Sequence, residues 1–325
     1  MSMGADTMRH NRPMADLRTM FGGTDTATFL GVPACTVDQL GDVRPDVVIV
    51  GAPCVTPYAS VGAYCSAAPS AIRAASSTYA SSVTHQNFDL GGPVIPDGAV
   101  VVDLGDLAGD EHDHAANRAT VIAACQAILV AGAVPVVLGG DDSVPIPVLA
   151  AYEGRAPFDL LQVDAHIDWR DDVGGERLGL SSTMRRSSEM AHVAEMVQVG
   201  RRGSGSARPA DLAAAEARGV HFVGAHDVHR YGTAPIVERF GGRDAFVTID
   251  LDGLDPSIAP GVIGPEPGGL NYFQAIELID GVADRARIIG FDLVEFVPER
   301  DPSGLSALVA FRLIAHAIGR ILRQR

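Results

Sequence analysis

Three short stretches of this 325-residue chain carry acids at spacings that could do chemistry. In "LQVDAHIDWRDD", Asp164, His166 and Asp168 stand at i, i+2 and i+4, so an extended backbone would aim all three at one face. "TIDLDGLDP" repeats the spacing with Asp250 and Asp252, and "VPVVLGGDDSVPIP" sets Asp141 beside Asp142 after an apolar run and a glycine pair. Aspartate is depleted in strands, and clustered carboxylates repel one another unless a cation lies between them. An oxygen-rich set with one imidazole suits Mn²⁺ or a similar divalent ion rather than thiolate-bound zinc. The number of acids suits two metals that share carboxylates. Taken singly, each stretch could also be a helix cap or an Asx turn after a strand.

Such acids need rigid elements to aim them. Eight β-rich runs alternate with helical patterns: "PDVVIVGAP", "GAVVVDLGD", "AVPVVLGGD", "FDLLQVDAH", "MVQVGRRG", "VHFVGAHD", "AFVTIDLDG" and "ARIIGFDLVEF". Several are continuous Val/Ile/Leu runs, the pattern of strands covered on both faces. Helices are expected near 115–132, 143–152, 208–218, 233–241, 271–283 and 304–323. This alternation predicts an α/β fold, a three-layer α/β/α domain around a mostly parallel sheet, with a closed eight-stranded barrel as the alternative. In either, ligands bind beyond the carboxyl ends of the strands, where the acids fall. Residues 1–44 read as an N-terminal arm and lead-in, and 45–325 as a single domain.

Composition narrows the function classes. The formal charge is −15, which argues against a nucleic-acid partner and favours cationic ligands. The chain contains no lysine, which excludes Schiff-base chemistry and a P-loop lysine. No run of 18 apolar residues suggests a membrane span, the N-terminus lacks a signal-peptide pattern, and the expected location is cytoplasmic. Cys35, Cys54, Cys65 and Cys125 show no metal-finger spacing and read as free thiols.

Together, "GGDDS", "DAHID" and "IDLDGLDPSIAPG", in that order, resemble the ureohydrolase family of arginases and agmatinases, on its agmatinase-like branch. The similarity extends to "GAYCSAAPSAIR" and "FDLVEFVPERDPSGLSALVAFRLI" and covers roughly residues 45–322. The resemblance implies an eight-stranded parallel sheet, usual assembly into trimers or hexamers, and two divalent ions, Mn²⁺ foremost and Ni²⁺ second. It implies hydrolysis of a small guanidino compound to urea and an amine, through a hydroxide that bridges the two metals. Residue by residue, it makes Asp164, His166, Asp168, Asp250 and Asp252 metal ligands. It gives Asp168 a further role in proton transfer, and Glu295 the grip on the guanidinium.

Two positions depart from the family pattern. Asp142 stands where most members have a metal-binding histidine, so the resemblance carries ligation onto a carboxylate, with Asp141 supporting the turn. No histidine lies between His166 and His192, and the usual proton-shuttle place falls near Leu180. A general acid would then come from Glu176, Ser181 or water. Glu176, in a Gly-rich loop, is also a candidate substrate contact. His226 and His229 read as a helix start, His112 and His114 as a solvated helix N-terminus, and Arg201 and Arg202 as structural or intersubunit. "YASVGAYCSAAPSAIR" reads as a loop at the mouth of the site. The expected substrate has a cationic tail, as agmatine does. Two other outcomes stay open: a catalytically weak subunit assembled with an active paralogue, and a hydrolase of an amidine or formimino compound.

Overall fold

In the computed structural model, residues 26–205 and 207–324 are described. Eight strands form one all-parallel sheet: β1 Val47–Ala52, β2 Val101–Asp106, β3 Val134–Gly139, β4 Phe158–Val163, β5 Val193–Arg201, β6 His221–Gly224, β7 Ala245–Asp250 and β8 Ile288–Val294. All eight runs read from the sequence are strands, and the sheet is open, so the barrel alternative is excluded. Counting helices of six residues or more, the chain adds α1 Ala68–Ser77, α2 His114–Val130, α3 Pro145–Ala150, α4 Thr183–Ser188, α5 Pro209–Arg218, α6 Ala225–Tyr231, α7 Tyr272–Ala283 and α8 Leu305–Arg323.

The three layers follow from the strand pattern. Along β1, Val47 and Ile49 enter one core while Val48 and Val50 enter the other, because successive side chains point to opposite faces. The first core is closed by α1, α6, α7 and α8, and the second by α2, α3, α4 and α5. Helix α8 is long and apolar enough to cross a membrane by composition, but 72% of its apolar window is buried within this protein. It is the central helix of a core. Of the expected lead-in, residues 1–25 lie outside the described residues, whereas Phe29 and Leu30 are buried in the first core.

Strand order is β2-β1-β3-β8-β7-β4-β5-β6. The chain leaves β3 for β4 and returns later to fill the gap with β7 and β8, which creates a switch in winding direction at mid-sheet. Crevices at such switches bind ligands. Register brings the strand ends level: Leu138 pairs with Leu293, Asp250 with Val294, and Val163 with Ile249. Everything that follows β3, β8, β7 and β4 therefore leaves the sheet side by side.

Local differences from the sequence reading have simple causes. The mouth loop ends at Ala67, and α1 begins at Ala68 with Pro69 in its first turn, where proline's missing N–H costs nothing. The helix expected over 233–241 is a single turn, Ala234–Val237, followed by the glycine pair Gly241–Gly242.

Candidate metal centre and active site

The acids meet in the mid-sheet crevice, though not by the alternation the spacing suggested. β4 ends at Val163, and residues 164–168 form a compact loop in which Asp168 adopts φ 46°. Asp250 is the last residue of β7, and Leu251–Gly253 is a single 3₁₀ turn. Convergence comes from these turns. The Asp250 side chain accepts the backbone N–H of Asp252 at 2.8 Å, and Asp252 accepts that of Ala165 at 3.1 Å, which ties the two loops together. Gly200 on β5 permits the close approach: a Cβ there would lie 2.6 Å from the carbonyl oxygen of Asp164.

Two groups of donor atoms result, Asp164–His166–Asp252 and Asp142–Asp164–Asp168, each with its atoms within 4.8 Å of one another. They share Asp164. Apart from His166, the members are buried. His166 Nδ1 lies 3.1 Å from Asp252 and 3.5 Å from Asp164. Gln162 Nε2 donates to Asp164 at 2.6 Å and to Asp168 at 3.4 Å. Gln162 is fixed in turn by Gln198, whose Oε1 accepts the indole N–H of Trp169 at 2.8 Å. Such outer contacts hold ligand side chains in one orientation.

Asp142 is the informative member. Both its carboxylate oxygens are buried without a hydrogen-bond partner. An ionised carboxylate in that position costs several kcal/mol unless something positive faces it. Asp141 serves the turn, as expected: its Oδ1 accepts the backbone N–H of Ser143 at 3.0 Å and also the Ser143 hydroxyl. Asp142 is further anchored by the Thr183 hydroxyl on its carbonyl oxygen.

Burial and mutual repulsion set the charge state of the cluster. Asp142 is held well above the usual carboxylate range by burial and then by Asp168 and Asp164. Asp168 is raised by burial and Asp164, Asp250 by burial and Asp252, and Asp252 by burial and Asp164. Asp164 moves the other way: burial works upward on it, but hydrogen bonds from His166 and Asp168 bring it below its ordinary value. Hydrogen bonds to Asp164 and Asp252 push His166 up to about 12. A field this negative is what a divalent cation would neutralise. The donor set, carboxylate oxygens with one imidazole, fits such ions.

Glu295 lies directly after β8 at φ 66°, a left-handed conformation that side chains seldom adopt. Its backbone N–H donates to Gly140 at 2.9 Å, and its Oε1 accepts the N–H of Asp142 at 2.9 Å. Burial and the neighbouring Asp141 push its carboxyl up to about 8. Glu295 and Asp142 are thus fastened back to back. Asp168 and Glu295 are two of only four non-glycine residues with positive φ among those described.

The remaining candidates sit elsewhere. Glu176 accepts the N–H of Leu178 at 2.8 Å and lies 3.4 Å from His114. His114, with Pro57, Tyr58, Gly62, Glu111 and His112, lines a surface hollow of about 430 Å³ beside the mouth loop. His229 bonds to the carbonyl oxygen of Gly269 at 2.9 Å, within α6, and His226 is exposed on the same helix. Arg202 is structural, its guanidinium reaching the carbonyl oxygens of Gly200, Asp252, Gly253, Leu254 and Glu266. The four cysteines are free and buried.

Two features had escaped the sequence reading. Gln162 had a signal, a lone polar residue within an apolar strand. Tyr64 had none: its hydroxyl lies 2.7 Å from Glu295 Oε1 and 2.9 Å from Oε2.

Residues 45–319 match the model of the arginase family. The chain belongs to that family. Guanidino acid hydrolase of Homo sapiens mitochondria is 33% identical over 222 residues, 66% of this chain and 62% of that protein. Agmatinase of Gallus gallus mitochondria is 33% identical over 225 residues, 67% of this chain and 66% of that protein. This arginase-family chain thus spans less than two thirds of the length of these two relatives. A crystal structure of a hypothetical agmatinase from Burkholderia thailandensis superposes with a TM-score of 0.78 at 28% identity, covering 92% of each chain. The agmatinase-like resemblance and the α/β fold class expected from the motifs are both borne out.

Proposed function

We propose that this arginase-family chain is a metal-dependent ureohydrolase that cleaves a C–N bond of a small guanidino compound, giving urea and an amine. The observation that carries the reading is the pair of buried donor groups sharing Asp164, set beside the buried carboxylate of Glu295. Asp142, Asp164, His166, Asp168, Asp250 and Asp252 would hold two divalent ions, with Mn²⁺ proposed first and Ni²⁺ second. When bound, such ions acidify water enough to supply hydroxide near neutral pH.

The chain's own groups do the rest. Glu295 would take the planar guanidinium by paired hydrogen bonds and hold its carbon over the metal groups. Asp168 would accept the proton of the attacking water and pass it to the departing nitrogen. Thr183, the first residue of α4, holds the Asp142 main chain through its hydroxyl, and the buried Trp169 holds Gln198, which in turn fixes Gln162. Glu176, beside the mouth loop, is the proposed contact for the cationic tail of an agmatine-like substrate.

The test couples elemental analysis of metal per chain, after incubation with Mn²⁺ or Ni²⁺, to urea release from agmatine, guanidinobutyrate, arginine and guanidine. About two ions per chain with urea from one member of the panel supports the reading. A metal-loaded protein inert to all four would sink it. Ammonia or formamide release from an amidine or formimino compound would then redirect the substrate class. The second reading, a weak subunit of a hetero-oligomer, draws on Leu180 at the expected shuttle position and on Asp142. Co-purification of an active second chain would favour it, whereas an active homo-oligomer excludes it.

A further inference from the structure

We propose that Tyr64 is a specificity-determining residue that occupies the guanidinium seat on Glu295 and must yield it for substrate to bind. This deepens the ureohydrolase reading and rests on it for the identity of the ligand. The geometry carries the argument. Because the phenol oxygen is 2.7 and 2.9 Å from the two carboxylate oxygens, it lies on the side of the carboxylate where both are presented. A guanidinium making two parallel bonds to a carboxylate approaches along that same direction. The two cannot be there together.

Other contacts of Glu295 leave no second two-point face. Its Oε1 also accepts the N–H of Asp142, which closes the side toward β3. Tyr64 is half-buried, and burial together with Glu295 raises its hydroxyl, so it stays a phenol and a donor. It belongs to the segment between the turn at Tyr58–Gly62 and the first residue of α1, Ala68. Gly62, at φ 64°, is the glycine nearest to Tyr64 in that segment. A phenol offers one neutral donor, whereas a guanidinium offers two donors and a full charge, so the exchange favours substrate once the ring has somewhere to go.

The consequence is selective. A ligand must supply enough attraction at Glu295 to displace the ring, and a cation with a single donor gains least from doing so. Removing only the hydroxyl deletes the bonds that hold the ring on the carboxylate, so the ring yields the seat at lower cost.

The experiment measures guanidinium and agmatine binding by calorimetry, using Mn²⁺-loaded wild type and Tyr64→Phe under identical conditions. Tyr64→Phe should tighten both ligands about tenfold, the worth of one hydrogen bond to a charged group. In urea release it should lower KM with little change in kcat. Equal or weaker binding in Tyr64→Phe overturns the proposal, as does an absence of binding by either protein. A merely positioning role for Tyr64 would weaken binding and so counts against it. If the Phe variant misfolds, Tyr64→Leu gives the same reading. The two proposals fail separately: tighter binding without urea from either protein rejects the ureohydrolase reading but keeps the role of Tyr64, and urea release with unchanged KM does the reverse.

Discussion

Two buried charged clusters in this protein solve the same electrostatic problem in opposite ways. At the N-terminal side, Arg73 on α1 is 4% exposed and meets Asp103 through two hydrogen bonds of 2.8 Å, with Asp106 beside it. Asp103 also accepts the N–H groups of Phe29 and Gly105, each at 2.8 Å. That cluster carries its own cation and satisfies its oxygens. In the mid-sheet crevice, four aspartates and one imidazole make up the donor groups, and both oxygens of Asp142 face no donor. The first is a structural knot that helps fasten α1 and the Phe29 segment to the sheet edge. The second gathers buried acids with perturbed pKa values and, among the described residues, no such guanidinium, the pattern that marks a candidate binding site.

If that contrast is right, removing the anion shared by the two metal groups should have the largest functional effect. Asp164→Asn is expected to lower kcat about a thousandfold or more and to reduce metal per chain, read by urea release and elemental analysis. A variant retaining both metals and near-normal turnover would break the comparison on its catalytic side. Arg73→Met should do the reverse. Stranding Asp103 costs roughly 3–5 kcal/mol of stability, measured by denaturant unfolding, while the folded fraction keeps its metal.

The pH dependence sharpens it further. Glu295 rises from an ordinary 4.5 to about 8, and Asp142, Asp168, Asp250 and Asp252 are also raised. For acids raised on folding, the native state binds more protons than the unfolded chain in the interval between the two values. The stability of the metal-free protein should therefore fall as pH climbs from about 4.5 to about 8. His166, raised from 6.5 to about 12, acts in the same sense above 6.5. Metal replaces those protons, so the rise in melting temperature on adding Mn²⁺ should grow across the same window. A Mn²⁺ shift that is flat or shrinking with pH would contradict the account.

Smaller effects discriminate within the site. Asp142→His should leave the metal-free melting temperature unlowered, because both carboxylate oxygens of Asp142 lack partners and no side-chain hydrogen bond is lost. It should change the relative affinity for Mn²⁺ and Ni²⁺ about tenfold, since imidazole is the softer donor. A drop in stability would place Asp142 with the structural knot instead. Glu176→Gln is the mildest: about a threefold rise in KM for agmatine and none for guanidine, which has no tail.

The sheet was legible because its strands are largely apolar runs of the right length, most of them ended by or running straight into a glycine or an acid. The acids that meet in the crevice stood out too, by type and spacing, because aspartate is depleted in strands, although each stretch taken singly also read as a cap or an Asx turn. The reason given for their convergence was wrong in detail. Positive φ at Asp168 and the 3₁₀ turn at Leu251–Gly253 are properties of packed loops, which alternation along a strand cannot express. Arg73 lay in a segment read as mouth loop, and its pairing with Asp103 joins residues 30 apart. Tyr64 was invisible for the same reason: its contact with Glu295 spans 231 residues, and one tyrosine in a Gly/Ala-rich stretch carries no pattern.

The bond from the Asp142 main chain to Glu295 Oε1 joins two functions in one residue. The side chain of Asp142 is offered to the proposed metal, while its amide sets the carboxylate proposed to receive substrate. An ion that settled the Asp142 loop would also settle Glu295, and the two proposed ligands would then be thermodynamically linked. By reciprocity, whatever factor metal adds to substrate affinity, substrate adds to metal retention. In a cell where divalent ions are scarce, the compound to be hydrolysed would then help to keep the protein charged with its own cofactor.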